Sequence, residues 1–295
     1  MFLTHRVEEI TRQSDDTRRV IGEFILRERT HLSDYTIADI AQETFVSKAS
    51  VTRFAKSLGY EGWRGFIRDF MAEVHYEANY GAAIDPNFPF HANDSDEKVV
   101  NAAADVAYDA MADTLRLLNR GALALAVRYL QQADRIWVFA LSPNTYLGSL
   151  FCRKMLTVGK TATVVSSAER GLVARSLGPS DCTIIISYSG NNPDYEPMVH
   201  IPALIERRVP LIGITGEGDN YIRRNIRCTF TISSRENLYS KIATFGMEMS
   251  IQLILNALFS CYFARDYQNN LDRKIDFGRE LEQSRAAAPG ASFER

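Results

Sequence analysis

The sequence predicts an all-α helix-turn-helix bundle followed by an α/β domain with a doubly wound parallel sheet. Apolar residues recur at helical spacing through about the first 77 residues, whereas short β-branched runs alternate with helical segments from Arg135 onward. The stretch GAAIDPNFPFHANDSD between the two patterns lacks periodicity and is typical of a linker. We therefore expect a helical domain over 1–80, a linker over 81–96, an α/β domain over 97–270 and a partly disordered tail over 271–295.

Within the helical domain, the stretch Thr36 to Gly59 predicts two short helices joined by a tight turn. Ser47 is placed to cap the second helix, and Phe45 lies at a turn position that is often Gly, so this turn is expected to differ. Apolar stripes mark the two helices and the segments on either side of them: Ile37, Ile40 and Ala41; Val51, Phe54, Ala55 and Leu58; Val20, Phe24 and Ile25; and Trp63, Phe66, Ile67, Phe70 and Val74.

The outward face of the second helix carries hydroxyl and basic side chains, which a recognition helix presents to phosphates and base edges. The candidate DNA-binding residues are Ser47, Lys48, Ser50, Thr52, Arg53 and Lys56. An amphipathic hairpin that binds no nucleic acid would show the same periodicity. Because the net charge is −2, DNA binding requires a local patch. Between Ser47 and Phe70 five basic residues stand against two acidic ones, a local excess of three (5 − 2).

Composition limits the other classes of function. The four cysteines are far apart in apolar runs and predict buried thiols in a reducing compartment; they are Cys152, Cys182, Cys228 and Cys261. Without a CxxC motif or a His/Cys cluster, no metal and no cofactor is expected. Polar residues interrupt the longest apolar stretch, Met247 to Phe263, and the first ten residues lack the apolar run of a signal peptide. We therefore expect a cytoplasmic protein without a membrane span.

The α/β domain is predicted from apolar, β-branched runs separated by helices. The first four runs are almost continuously apolar, as in parallel strands covered on both faces. The strands are expected at 136–141, 161–165, 182–187, 211–215 and 229–232. The helices are expected at about 97–118, 122–132, 146–158, 168–177, 195–207 and 240–265.

A polar loop follows the third strand and reads Ser-Tyr-Ser-Gly-Asn-Asn-Pro from Ser187 to Pro193. In open α/β sheets, ligands bind at the carboxyl ends of the strands. Pro193 with Asn192 before it indicates a helix start, and the loop offers hydroxyls, amides and a flexible glycine. This combination suits a phosphate or another anion. An ordinary capped turn would use the same residue types.

The whole chain resembles RpiR-type transcription regulators, and its second domain resembles a SIS (sugar isomerase) domain. The resemblance covers about residues 17–265 and rests on VSKASVTRFAKSLGYEGW, DCTIIISYSGNN, PLIGIT and ENLYSKIATF. It implies that Ser187, Ser189 and Asn192 hold a sugar phosphate, with Asn192 in a position where Thr is usual. It also implies that an acidic residue near Glu236 approaches the sugar, although a carboxylate at a helix start is an equal alternative there.

The chain departs from the family at the end of the first strand. Where the family usually has Gly-x-Gly-x-Ser, this sequence has Ala-Leu-Ser-Pro-Asn from Ala140 to Asn144. Side chains and a proline oppose close approach of this backbone to a ligand. Ser142 and Asn144 remain candidates for sugar contacts. A modified or different ligand is expected, and loss of the family's ligand is the alternative.

These observations predict a DNA-binding transcriptional regulator of carbohydrate metabolism whose operator binding is modulated by a phosphorylated sugar. Paired half-sites would require a homodimer or tetramer. The alternatives are a sugar-phosphate isomerase and a regulator whose SIS domain only oligomerises. An isomerase needs a positioned base, and no His lies in the predicted loops of the second domain, so no catalytic residue is predicted.

Overall fold

The computed structural model describes residues 3–13, 17–80 and 84–283. They divide into two compact units. The first comprises Met1–Arg116, Gly216–Asn220 and Ser233–Ser250, and the second comprises Leu117–Thr215, Tyr221–Ile232 and Ile251–Arg295.

Six helices account for most of the first unit. Their bounds are α1 Leu3–Gln13, α2 Thr17–Arg27, α3 Ile37–Glu43, α4 Lys48–Ser57, α5 Trp63–Tyr80 and α6 Asp96–Leu117, and a 3₁₀ turn spans Leu32–Asp34. The predicted apolar stripes of α3, α4 and α5 meet in one core around Phe54, Phe66 and Phe70. On α2 the prediction was wrong at Val20, which is 41% exposed, while Ile21 is fully buried. Helical spacing explains this, because Ile21, Phe24 and Ile25 follow the i, i+3, i+4 pattern of one face.

The second unit contains a five-stranded parallel sheet in the order β2-β1-β3-β4-β5. The strands are β1 Arg135–Ala140, β2 Ala162–Val164, β3 Asp181–Ile186, β4 Leu211–Thr215 and β5 Cys228–Thr231. The helices of this region are α7 Arg120–Gln132, α8 Asn144–Leu156, α9 Arg170–Ser176, α10 Ile201–Glu206 and α11 Tyr221–Asn225. All six residues of β3 are buried, as the apolar run predicts for a central strand.

Two helix starts differ from the prediction. The helix expected from Tyr195 is replaced by turns, a 3₁₀ turn at Met198–His200 and α10 from Ile201. Pro197 explains the delay, because it has no N–H to donate and disfavours helical geometry at the residue before it. The long closing helix α12 spans Phe245–Arg265, so it begins five residues after the predicted start at Ser240.

The C-terminal region continues as helix α13, Tyr267–Gln283, which includes the first part of the predicted tail. Residues 284–295 lie outside the described residues. By length and composition α12 is apolar enough to cross a membrane. Its residues Ile251, Ile254, Leu255 and Leu258 are nevertheless fully or almost fully buried in the protein. They serve as core residues in this structure.

Candidate DNA-binding face and ligand-binding loops

The candidate recognition helix α4 is capped at its first turn. Ser47 has extended backbone geometry, and its hydroxyl accepts a hydrogen bond from the Ser50 N–H at 3.1 Å. This confirms the predicted cap. The preceding helix α3 has a full capping box, in which Thr36 and Asp39 satisfy each other's backbone N–H groups. Both helices of the motif therefore begin at hydrogen-bonded caps.

The polar residues of α4 share one accessible face. Lys48, Arg53 and Lys56 are exposed, whereas Ser50 and Thr52 are half-buried. The Arg53 guanidinium donates to the Ser50 hydroxyl at 3.1 Å, and the Thr52 hydroxyl donates to the Lys48 carbonyl at 3.2 Å. The Ser50 hydroxyl also contacts the Ser47 hydroxyl at 2.9 Å, and the three cations are exposed to solvent. A surface groove of about 370 Å³ adjoins this face and is lined by Thr17, Arg18, Ser50, Arg53 and Ser57.

The turn before α4 keeps a left-handed residue although no glycine is present. Phe45 has φ of +54°, and the Val46 N–H donates to the Ala41 carbonyl at 2.9 Å. This bonding is that of a Schellman motif, which usually places glycine at the left-handed position. The expectation that this turn differs was therefore wrong for its backbone. The difference lies in the side chain, which is 96% exposed.

The predicted ligand loops lie at the switch point of the sheet. The chain passes from β1 to β2 on one side and continues with β3 on the other, and Ala140 pairs with Ile186 in register. The loops that follow these two residues therefore begin side by side, at the crevice where open α/β sheets bind ligands. We call them the first loop, residues 141–144, and the second loop, residues 187–192.

Two candidate hydroxyls lie in the second loop. Ser187 and Ser189 are half-buried and flank the buried Tyr188, but the chain bends at Tyr188 and Ser189, so the expected strand-like alternation of the two serines is not seen. The Ser187 hydroxyl accepts a hydrogen bond from the Gly190 N–H at 3.2 Å. Gly190 has φ of +59°, a conformation that a side chain disfavours. Ser187 thus helps shape the loop as well as offering a donor.

The structure contradicts the expectation that Asn192 stands at a helix start. Asn192 Oδ1 accepts from the Asp194 N–H at 3.0 Å, which closes a local turn. The next α-helix begins at Ile201 and has only six residues. A phosphate at the second loop would therefore depend on side-chain hydroxyls, amides and loop backbone, without a helix dipole directed at it.

In the first loop, one candidate is open and the other is enclosed. Ser142 is exposed, and Asn144, the first residue of α8, is 8% exposed. Asn144 Oδ1 is buried and has no hydrogen-bond partner in the part of the chain that the structure describes. A buried acceptor without a partner is costly, so this oxygen is suited to a donor from water or from a ligand.

Glu236 is 3% exposed and caps α12 from a distance in the sequence. Its carboxylate accepts from the N–H groups of Gly246 and Met247, and Lys241 lies 3.4 Å from its other oxygen. Burial raises the pKa of Glu236 above its usual value, against the opposing effect of Lys241 and the two amides. The Glu236 carboxylate therefore interacts with the start of a helix, as the alternative to a sugar contact predicts. Gly246 permits this approach, because a Cβ there would lie 3.1 Å from the carboxylate.

Sequence reasoning missed a buried cation at the carboxyl edge of the sheet. Arg170 is 3% exposed, contacts the Ala140 carbonyl and Glu196, and has no distinctive spacing that could have revealed it. Glu196 also contacts His200 Nε2 at 2.8 Å. Among the described residues, no group of three His, Cys, Asp or Glu side chains could hold a metal ion. The four cysteines are free; three are buried as expected, and Cys261 is half-buried.

Two family profiles match the chain. Residues 3–74 match the helix-turn-helix domain of the rpiR family, and residues 129–260 match the SIS domain. An uncharacterised HTH-type transcriptional regulator of Providencia stuartii is 24% identical over 202 residues, covering 68% of this chain and 70% of the relative. Another, from Clostridium perfringens, is 18% identical over 275 residues, covering 93% and 97%.

Solved structures share the fold. The Vibrio vulnificus NanR protein complexed with ManNAc-6P has a TM-score of 0.59 at 18% identity and covers 95% of this chain and 98% of its own. The sugar isomerase domain of the RpiR transcription factor from Sphaerobacter thermophilus has a TM-score of 0.53 at 16% identity, covering 62% and 99%. These likenesses confirm the predicted fold class, a helical helix-turn-helix region followed by a SIS-like parallel sheet.

Proposed function

We propose that this chain, an RpiR-type transcriptional regulator that combines an rpiR-family helix-turn-helix domain with a SIS domain, senses a phosphorylated sugar. In this proposal α4 enters the major groove of an operator, and a sugar phosphate at the first and second loops changes the affinity for DNA. The protein has no catalytic role and acts in the cytoplasm on genes of carbohydrate metabolism.

The observation that carries the DNA-binding part is the capped, outward face of α4. Its apolar side is buried in the helical core while Lys48, Arg53 and Lys56 remain exposed. A recognition helix needs this combination, because the core fixes the helix while exposed cations can reach phosphates and base edges. The groove beside Arg53 continues the polar surface toward α2.

The chemistry of the second loop supports a phosphorylated ligand. Ser187 and Ser189 offer hydroxyl donors that suit a small oxyanion and a polar sugar ring. The similar NanR protein is complexed with ManNAc-6P, so amino-sugar phosphates belong in the first set of ligands to be tested. Because the first loop lacks the family's glycines, we expect a selectivity that differs from that relative's.

We propose that a short segment, residues 236–242, passes a signal to the DNA-binding helices; we call it the coupling segment. The Leu238 N–H donates to Glu8 of α1 at 2.8 Å, and the Arg12 guanidinium lies 4.0 Å from the centre of the Tyr239 ring. Ile242 N–H donates to the carbonyl of Asn87 at 2.9 Å. The segment therefore contacts both the first helix and the predicted linker.

Signal transfer would start at Glu236. The resemblance implies that the sugar approaches this residue, whose carboxylate is already held by Lys241 and the start of α12. A sugar hydroxyl that competes for this carboxylate would disturb the coupling segment and, through Glu8 and Arg12, the position of α1. An allosteric effect of this kind needs a coupling free energy of about 1–3 kcal/mol, which one or two altered hydrogen bonds can supply.

Oligomerisation is part of the proposal. Met249 is exposed on α12, and Tyr146 and Leu150 are exposed one turn apart on α8. Apolar faces of this kind suit a second copy of the chain, and paired copies would present two copies of α4 to a two-fold operator. Sedimentation at micromolar concentration tests this. A monomer at that concentration would reject the proposal that two copies of α4 bind a two-fold operator.

The proposed function is tested by selecting operator duplexes from a random pool and measuring their release with phosphorylated hexoses, pentoses and amino sugars. Thermal shift identifies ligands first, because a ligand that binds the native state raises the melting temperature by mass action. We expect one sugar phosphate to raise the melting temperature and to change operator affinity at the same concentration. Conversion of that ligand to an isomeric product would favour the isomerase alternative instead.

A further inference from the structure

Arg170, at the first position of α9, lies at the carboxyl edge of the sheet. Only 3% of it is exposed. Burying a guanidinium is costly unless charge and hydrogen bonds compensate for the lost water. The partners that the fold supplies therefore indicate what the residue holds together. Two of them belong to the boundaries of the two ligand loops.

The first partner is the end of β1. Arg170 Nη2 donates to the Ala140 carbonyl at 2.6 Å, and Ala140 is fully buried. Strand β2 pairs with β1 only as far as Val138, so the described structure has no strand beside Ala140 on that side. A buried carbonyl needs a donor, and the guanidinium provides it. Arg170 thus fixes the point at which the first loop leaves the sheet.

The second partner follows the second loop. Arg170 Nη1 donates to Glu196 Oε2 at 3.2 Å, and Glu196 lies four residues after Asn192. The other Glu196 oxygen contacts His200 Nε2 at 2.8 Å, which ties it to the start of α10. The same guanidinium therefore also holds the segment that follows the second loop.

We infer that Arg170 is a positioning residue of the ligand site, whose planar fork holds the first and second loops at a fixed separation. Glu196 compensates its charge, so Arg170 acts through geometry and the hydroxyls remain the phosphate donors. Lysine at this position would keep the charge but lose the fork, and one ammonium on a flexible stem cannot reproduce both directed bonds. The inference rests on the proposed function for its ligand, whereas the bridge concerns the protein alone.

Hydrogen exchange of the full chain tests the bridge without a ligand. In Arg170→Lys we expect the amides of Thr145 and Gly190, one in each loop region, to exchange at least ten-fold faster. Arg175→Lys is the matched control, because Arg175 is exposed on the same helix and its Nη1 donates within that helix, to the Gly171 carbonyl at 3.1 Å. Faster exchange at one loop alone, or at neither, would overturn the inference.

Calorimetry with inorganic phosphate and with glucose 6-phosphate tests the consequence. Arg170→Lys and Glu196→Ala should each lower the affinity for whichever probe the parent binds by at least ten-fold. Both variants should leave operator affinity unchanged. Glu196→Gln should bind more tightly than Glu196→Ala but less tightly than the parent, because its amide oxygen can still accept from Arg170 while the buried guanidinium loses its counter-charge. Affinity as low as that of Glu196→Ala would reject the positioning role. If the parent binds neither probe, the proposed phosphate site is rejected. The hydrogen-exchange result still shows whether Arg170 connects the two loops.

Discussion

The helical domain and the α/β domain use their polar residues in opposite ways. On α4 the cations Lys48, Arg53 and Lys56 project into solvent from a helix whose other face is packed in the core. At the end of the sheet, Ser187 and Asn192 already accept hydrogen bonds from their own chain. Contacts to DNA phosphates need exposed cations on a fixed helix, whereas a small-ligand site is a largely preformed pocket whose shape depends on internal bonds.

The largest expected effect is on DNA binding. Changing Lys48, Arg53 and Lys56 together to Ala should abolish operator binding, and Arg53→Ala alone should cost about 1–3 kcal/mol if the side chain reads a base edge. A mobility-shift titration at fixed salt measures both. Arg128→Ala, exposed on α7, is the control for loss of charge. Undiminished binding by the triple variant would show that the exposed face of α4 is not the DNA-binding face.

Second in size is the effect on the ligand. Ser187→Ala and Ser189→Ala should each lower the affinity for the sugar phosphate about ten-fold or more, because a hydrogen bond to a charged group contributes about 1.5–3 kcal/mol. Ser187→Ala should also loosen the loop, since its hydroxyl holds the Gly190 N–H. Isothermal calorimetry measures the affinity, with Ser176→Ala, exposed on α9, as control. Parent-like binding by both variants would place the sensor site elsewhere.

A change at the coupling segment should separate the two activities. The double variant Glu8→Ala, Arg12→Ala removes the contacts to Leu238 and Tyr239. We expect operator affinity and ligand affinity within about three-fold of the parent, while the ligand's effect on operator release falls by most of the 1–3 kcal/mol typical of coupling. Anisotropy titrations with and without ligand measure this. Arg19→Ala, exposed on α2, is the control, and an unchanged response in the double variant would reject the route.

The smallest effect is expected in the turn before α4. Phe45→Gly should stabilise the protein by about 1 kcal/mol or less, because glycine relieves the left-handed backbone while its unfolded-state entropy offsets part of the gain. Little packing is lost, since the ring is 96% exposed. Denaturant unfolding measures the change, with Arg208→Gly as a second site at φ of +57°. A lower stability in Phe45→Gly would mean that the ring makes contacts that favour this turn.

Periodicity predicted the helical domain well because its signal is local. The stripes of α3 and α4, the Ser47 cap and the outward cations depend on residues three or four positions apart, and all of them appear in the structure. The five strands were also placed within about two residues at each end, because buried parallel strands are short, nearly continuous apolar runs. The linker and the exact domain boundaries stay predictions.

The sequence by itself determined the five strands, the two helices of the helix-turn-helix and the polar face of α4, since strand runs, helix periodicity and caps depend on neighbouring residues. Only the tertiary structure decided that β1 and β3 lie side by side and that Glu236 caps α12. It alone brought Arg170 to Ala140 and Glu196, across separations of 30 and 26 residues. Contacts between distant residues follow from burial and strand order, and these depend on the packing of the whole chain.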